Sequence, residues 1–399
     1  MFATINAMGL LTSLGMVLVA MYIIKFACDS FEDASDYLGT EVYKMKPGVR
    51  GATLEAIASS LPELFTTLFL LFVFNDKGGF AAGVATCAGS AVFNAVVIPA
   101  VCILAVTIKG VDGTIVDKLR LLRGTIVRDG IFFILAEACL ILFLGTGELV
   151  WWMGIALMAL YAVYFAVLMR GIGGDDDEEE DSEEEDSEED EASSFIGSLV
   201  TFDYNQLIFG GKDFTAGSAW GVLLMATGTI AAACYLLSES VILSADAIGV
   251  QPYFTAVILG AAATSVPDTV LSYKDAMKGD YDDAVSNAVG SNIFDICVAL
   301  GFPLALYSGL EVMNGGSGAI SLAIANAGEA AASAGQGGVQ DLRVVLIILS
   351  VIIVGMFLMA PKDKDEDGNT QLLIGKGHGF ALLGVYAVWT GYVVSQIVG

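Results

Sequence analysis

Ten stretches of this chain are apolar over a length that crosses a lipid bilayer, at about residues 5–27, 48–74, 80–108, 125–144, 149–169, 217–244, 250–276, 282–307, 342–360 and 372–397. A helix needs roughly 20 such residues to traverse the hydrocarbon layer. Ten of them would use about 200 residues, and the chain has 399, of which 56% are hydrophobic and 16% charged. A soluble chain carries nearer ~25% charged residues. The pattern predicts an all-α membrane protein with ten transmembrane helices and argues against a soluble enzyme. No nucleophile–base set or phosphate loop is visible either. The first run has no basic residue ahead of it and is too long for a signal-peptide core, so it is expected to remain as a span.

Lysine and arginine set the orientation, because connections rich in them stay on the cytoplasmic side. With ten spans, Lys44, Lys46, Arg50, Lys109, Lys118, Arg120, Arg123, Arg128, Arg170, Lys212, Lys274, Lys278, Lys362, Lys364 and Lys376 fall on one side. Only Lys77 and Arg343 fall on the other, and Lys25 lies near the end of the first span. Both termini are therefore expected outside, most simply at the plasma membrane, with the connection after the fifth span in the cytoplasm. That connection holds half of the excess acid. Of the 17 residues from Asp175 to Glu191, 15 are Asp or Glu, interrupted by Ser182 and Ser187, within a net charge of −27. The run reads as a solvated linker and lacks the spaced Asp-x-Asp-Gly pattern of a folded Ca²⁺ loop. Nucleic acid is excluded as a partner for want of clustered base, and no obligate protein partner is evident. The chain divides into a first five-helix half (1–170), an acidic cytoplasmic loop (171–216) and a second five-helix half (217–399). Cys28, Cys87, Cys102, Cys139, Cys234 and Cys297 are scattered and read as buried small hydrophobes, and the lone His378 as an interfacial packing residue.

The two halves share motifs. Ala58-Ser59-Ser60-Leu61-Pro62-Glu63 in the second span matches Ala263-Thr264-Ser265-Val266-Pro267-Asp268 in the seventh. Gly89-Ser90-Ala91-Val92-Phe93-Asn94 in the third matches Gly290-Ser291-Asn292-Ile293-Phe294-Asp295 in the eighth. Five spans separate the copies, an odd number, so the second copy is expected upside down relative to the first: two inverted five-helix repeats. On a helix, residues three and four apart share a face, which groups Ser59 and Ser60 with Glu63, and Thr264 and Ser265 with Asp268. Ser90 with Asn94, and Ser291 with Asp295, are further pairs four apart. Pro62 and Pro267 lack the N–H that would bond the carbonyls of Ala58 and Ala263. Freed carbonyls, hydroxyls and carboxylates are the hard oxygen ligands that Ca²⁺ and Na⁺ prefer. Gly51, Gly83, Gly89, Gly260 and Gly290 would admit close helix approach.

Glu63, Asp268 and Asp295 thus stand well inside apolar segments, where each costs about 2.5–3.5 kcal/mol to insert. No Lys or Arg lies near them within those spans. Protonation or a local partner would serve for a single acid; for motifs matched across two halves, a cation bound at the repeat interface is the expected compensation. Glu55 has no assigned role, while Glu137 and Glu239 have no motif around them and read as partnered or protonated structural acids.

At these residues the sequence resembles the sodium/calcium exchanger family of the cation/Ca²⁺ antiporter superfamily, whose two alpha-repeats carry G-[ST]-S-x-P-[ED] and G-S-x-x-x-[ND]. The likeness is strongest to its potassium-dependent branch, through Gly51-Ala52-Thr53 and the four motifs above, over about residues 49–105 and 255–305. The family's glycine before the hydroxyl pair is alanine here in both copies, Ala58 and Ala263. The resemblance implies that Glu63 and Asp268 are the paired acids of a Ca²⁺ site, completed by Ser59 and Thr264. It implies flanking Na⁺ sites lined by Ser60, Ser265, Ser90 and Ser291 with the carbonyls of Ala56 and Ala261, and a centre occupied by Asn94 and Asp295. An aspartate at the Asp295 position is associated with K⁺ in that branch, though some K⁺-independent relatives share it, so K⁺ coupling stays open. The expected activity is Na⁺/Ca²⁺ antiport by alternating access, with the ions as cargo and no cofactor. A Ca²⁺/H⁺ antiporter of the same superfamily is the alternative; those proteins usually show G-N-x-x-E where this chain is rich in hydroxyls. A Ca²⁺-permeable channel is a further alternative, disfavoured by an inverted pair of acids in place of a symmetric ring.

Overall fold

A computed structural model describes residues 6–44, 56–74, 79–111, 114–171, 195–321, 348–349, 351–353, 355–357, 359–364, 368 and 370–398. Its long helices begin and end where local chemistry stops the ladder. The first, α1 (Ala7–Tyr37), opens on Asn6, whose side chain accepts from the Gly9 amide. Helices α2 (Ala56–Phe72), α3 (Gly79–Leu104), α4 (Arg123–Leu144) and α5 (Trp151–Gly171) follow. After a short α6 (Phe195–Val200) comes α7 (Ala216–Ile248), begun by a Thr215–Ser218 capping box and ended by Gly249 in the left-handed region. A bent pair, α8 (Pro252–Thr264) and α9 (Val266–Lys278), leads to α10 (Tyr281–Met313) and finally α11 (Lys376–Val398).

Burial sorts these helices into layers. About two thirds of the apolar window of α3 is buried, and 61% of that of α10, whereas α1 and α11 bury 22% and α5 28%. So α3 and α10 form the centre, and α1, α5 and α11 turn apolar side chains such as Leu18, Trp152 and Val388 outward, as a lipid-facing surface requires. The most extensive helix pairing joins α1 to α7. Tyr204, Phe209 and Phe214, which precede α7, pack on Ala34 and Leu38 of the first helical segment and on Val222 of α7.

Among the described residues, six helices are long and apolar enough to cross a membrane, or seven with α8–α9 counted as one bent span. Two further runs among the expected ten fall short of that measure among the described residues. The described part of α2 has 17 residues, and α4 carries Arg123, Arg128, Asp129 and Glu137. The α4 charges are partly resolved inside the protein. Arg128 Nε donates to Asp129 Oδ1 at 2.7 Å, Nη2 donates to Oδ2 at 3.0 Å, and Ser286 of α10 donates to Oδ2 at 2.9 Å. The acidic run 175–191 and most of the Gly/Ala/Ser-rich 309–341 connection lie outside the described residues.

The fold is all-helical in its spans, as expected, and short strands join some of the connections. β1 (Lys118–Leu122), β4 (Lys362–Lys364) and β5 (Thr370–Gly375) make an antiparallel sheet in the order β1-β5-β4, with Lys118 opposite Gly375. β2 (Glu148–Leu149) pairs with β3 (Ile320–Ser321). These strands lie between the helices, where backbone groups need partners that no helix supplies. The pairing of β1 with β4–β5 also puts the connections bearing Lys118, Arg120, Lys362 and Lys364 on one face of the helix layer. His378 accepts at Nδ1 from the Gly375 amide where β5 passes into α11.

Asp129→Ala should strand Arg128 and Ser286 without their acceptor and lower stability by about 3–5 kcal/mol. The measurement is the midpoint of thermal unfolding in detergent, with Asp129→Asn losing less.

Candidate cation site

The duplicated motifs meet at the centre of the layer. Ser60, Glu63, Ser90, Asn94, Thr264, Ser265, Asp268, Ser291 and Asp295 have no solvent exposure, and Ser59 has 3%. The second copy delivers its residues from a break. Ser265 leaves the helical region at φ −82, ψ 7, Pro267 sits in the first turn of α9, and the axis bends by 41°. Without an N–H on Pro267, the Ala263 carbonyl has no helical partner there. The first copy differs, since Pro62 lies inside the continuous α2.

Hydroxyls and one amide join the three acids. Ser90 Oγ lies 3.1 Å from Glu63 Oε1 and 2.7 Å from Asp295 Oδ2, and it contacts Ser265 Oγ at 2.9 Å. Asn94 Nδ2 donates to Asp268 Oδ2 at 3.2 Å and to Asp295 Oδ2 at 3.3 Å. Ser291 Oγ donates to Asp268 Oδ1 at 2.7 Å. Each acid also faces a hydroxyl of the other copy, Thr264 beside Glu63 and Ser59 beside Asp268. Ser60 stands beside Asp295 without a hydrogen bond to its Oγ.

Several polar atoms of the cluster are left over. Glu63 Oε2, Asn94 Oδ1, Asp295 Oδ1 and Ser60 Oγ are buried without a partner. Buried acceptors are nearly always paired, and a carboxylate held in a low dielectric without a counter-charge is costly. A cation ligated by these oxygens would satisfy both deficits. No three His, Cys, Asp or Glu side chains among the described residues are grouped closely enough to hold a metal by themselves. A cation held here would therefore also draw on the hydroxyls and the Asn94 amide oxygen. That composition suits hard, oxygen-seeking ions such as Ca²⁺ and Na⁺.

Some expected features are rearranged. The Ala261 carbonyl accepts from the Ser265 amide at 3.1 Å and from Thr264 Oγ1 at 3.2 Å, so an ion there would compete with that hydroxyl. Ala56 is the first residue of α2; Gly51 to Glu55 lie outside the described residues. Gly290 admits no close approach, because a Cβ there would meet Tyr164 Oη at an ordinary 3.7 Å. Gly89 does: its Cβ would fall 2.4 Å from the Val257 carbonyl oxygen, so α3 lies directly on the backbone of α8. Two features escaped the sequence. A π-helical turn begins at Asp295 and runs to Leu300, re-aiming the helix beyond it. Asn292 is fully buried with both amide atoms unpartnered. Matching copies points away from Asn292, since Ala91 holds its place in the first copy.

A family model described as sodium/calcium exchanger protein matches residues 12–170 and 218–395. Sodium/potassium/calcium exchanger 4 of Mus musculus is 35% identical over 151 residues, 38% of this chain and 22% of that protein. Cation/calcium exchanger 2 of Arabidopsis thaliana is 31% identical over 153 residues, 38% of this chain and 25% of that protein. The alignments thus span about a quarter or less of these relatives' length. Among solved structures, the H⁺/Ca²⁺ exchanger CAX superposes with a TM-score of 0.60 at 14% identity, covering 99% of this chain and 88% of that one. The sodium-calcium exchanger NCX_Mj does so with 0.53 at 16% identity, covering 95% and 98%. At these identities the likeness is one of fold.

Ser90→Ala should remove the hydroxyl shared by Glu63, Asp295 and Ser265 and weaken Ca²⁺ binding by about tenfold, from roughly 1.5 kcal/mol for a charge-assisted hydrogen bond. Calcium titration of the purified protein, followed by thermal stabilisation, measures it.

Proposed function

We propose that this chain, which belongs to the sodium/calcium exchanger protein family, exchanges Na⁺ for Ca²⁺ across a membrane by alternating access to a single site. The observation that carries the reading is the convergence of Glu63, Asp268 and Asp295 with Ser90, Asn94 and Ser291 in a fully buried cluster. Glu63 and Asp268 hold Ca²⁺ with Ser59 and Thr264. Ser60, Ser90, Ser265 and Ser291, with the main chain at Ala56 and Ala261, complete Na⁺ sites around it.

Coupling follows from charge. An empty site carries up to three carboxylates in a low-dielectric interior, and moving it through an occluded state without counter-charge is costly. One Ca²⁺ or several Na⁺ supply that counter-charge, so the protein changes access when loaded and exchanges instead of leaking. Two inverted halves of five spans each, rocking about the site, give the alternation. Hydroxyls fill the positions between the acids, which favours Na⁺ over H⁺ as the coupling ion. The fold does not separate the two, since it is shared with both an H⁺/Ca²⁺ and a sodium-calcium exchanger.

K⁺ co-transport is the finer form of this reading, supported by the name of the mouse relative and centred on Asp295. The orientation we propose has both termini outside the plasma membrane and the acidic run in the cytoplasm. Its support is the Lys/Arg asymmetry together with the β1–β5 pairing, which joins two of the base-rich connections.

In proteoliposomes, an outward Na⁺ gradient should drive ⁴⁵Ca²⁺ uptake, and Glu63→Gln or Asp268→Asn should reduce it at least tenfold, on the order of the interactions one buried charge makes. Uptake that follows an H⁺ gradient and ignores Na⁺ would overturn the choice of coupling ion. Asp295→Asn should abolish any K⁺ dependence while leaving Na⁺-driven uptake measurable.

A further inference from the structure

A narrow crevice with room for about one water molecule beneath its open mouth lies between α1, α2 and α9. Cys28, Asp29 and Glu32 line one wall, Ala58 and Ser59 another, and Pro267 the third. Its inner end is Ser59, the residue beside Asp268. From Pro267, α9 runs two turns to Lys274 and ends at Lys278, just before α10, where Asp282 accepts from the Leu122 amide of β1 at 2.7 Å. The mouth therefore opens toward the face that carries the three-stranded sheet and most of the lysine and arginine.

At that mouth Asp29 is shared by two cations. Lys25 Nζ, one turn back on α1, lies 2.5 Å from Asp29 Oδ2, and Lys274 Nζ of α9 lies 3.8 Å from Oδ1. The first pair stays within α1, whereas the second crosses from α9 to α1 over the cavity. Asp33, Asp36 and Asp203 stand in the same electrostatic neighbourhood, so Lys274 faces a concentration of acid that would otherwise attract a mobile cation. Lys274 is about half exposed, and an ion pair of that length and exposure is weak enough to be exchanged for an incoming ion.

We propose that Lys274 is a tethered counter-cation closing this mouth through Asp29, and that a divalent ion entering from the sheet-bearing face displaces it and passes along Ser59 to Asp268. Asp29 is a positioning residue here, acting on entry and not on the bound state. The inference rests on the reading of Glu63, Asp268 and Asp295 as the transport site. In the displaced state Asp29 keeps Lys25, so it is never left as a bare acid.

The experiment uses the full chain in oriented proteoliposomes and compares half-saturating Ca²⁺ at each face. Lys274→Gln should lower it about threefold to fivefold at the sheet-bearing face, the range of one exposed ion pair. Maximal rate and the opposite face should be unchanged, Lys274→Arg should behave as the parent chain, and Asp29→Asn should raise half-saturation at the same face. A second readout needs no ion coupling: Cys28, checked by Cys28→Ser, should react with a small cationic methanethiosulfonate from the sheet-bearing face, faster in Lys274→Gln and slower with Ca²⁺ present. Equal shifts at both faces, no shift, or no labelling of Cys28 in any variant would overturn the proposal. Loss of Na⁺-driven uptake with the labelling pattern intact would count against the transport reading and leave the latch standing.

Discussion

Three carboxylates buried in an apolar helix layer, with only neutral donors around them, are the constraint that shapes everything else in the molecule. Negative charge in that medium demands oxygens and donors at close range, and helices can bring them only by approaching nearly backbone to backbone. The contact of Gly89 with the Val257 carbonyl is that approach. The break at Ser265, the Pro267 turn and the π-helical turn at Asp295 are its local costs in helix regularity. Such irregular backbone is tolerated at membrane depth only where protein encloses it, which is where α3 and α10 place it.

Ser90 shows how the cluster is organised. A hydroxyl has one hydrogen to donate, and Ser90 lies within bonding distance of Glu63, Asp295 and Ser265. Its contacts to Glu63 and Asp295 therefore compete for one hydrogen, whereas Ser265 can itself donate to Ser90, and one of the two acids goes without the Ser90 hydrogen at any moment. The unpartnered Glu63 Oε2 and Asp295 Oδ1 express the same shortage. By contrast, Asp129 is buried just as deeply but receives Arg128 and Ser286. Asp129 is closed by protein and reads as structural, whereas Glu63 and Asp295 each keep an oxygen that no protein donor satisfies.

Much of this was legible in the residues. Ser59, Ser60 and Glu63 announce their shared face by spacing alone, and the match to Thr264, Ser265 and Asp268 says that two such faces belong together. What spacing cannot carry is backbone geometry that differs between copies. Pro62 and Pro267 occupy equivalent places, yet one sits in a continuous helix and the other comes after a break. Nor does periodicity reveal strands such as β1 and β5, which are short and paired over some 250 residues of sequence. Asn292 was hidden by the very comparison that exposed its neighbours, since the duplication matches it to an alanine.

The connections hold a last consequence. If the two halves are inverted copies, as proposed, their two end states would be related by a pseudo-two-fold rotation and stand on an equal footing. Among the described residues, one face of the helix layer is braced by β1 on the five register pairs from Lys118 to Leu122, with β4 added beyond it, whereas the other face shows the shorter pairing of Glu148 and Leu149 with Ser321 and Ile320. If the two halves rock as proposed, that bracing would favour one end state over the other, an asymmetry set by the loops and not by the residues of the buried acid cluster.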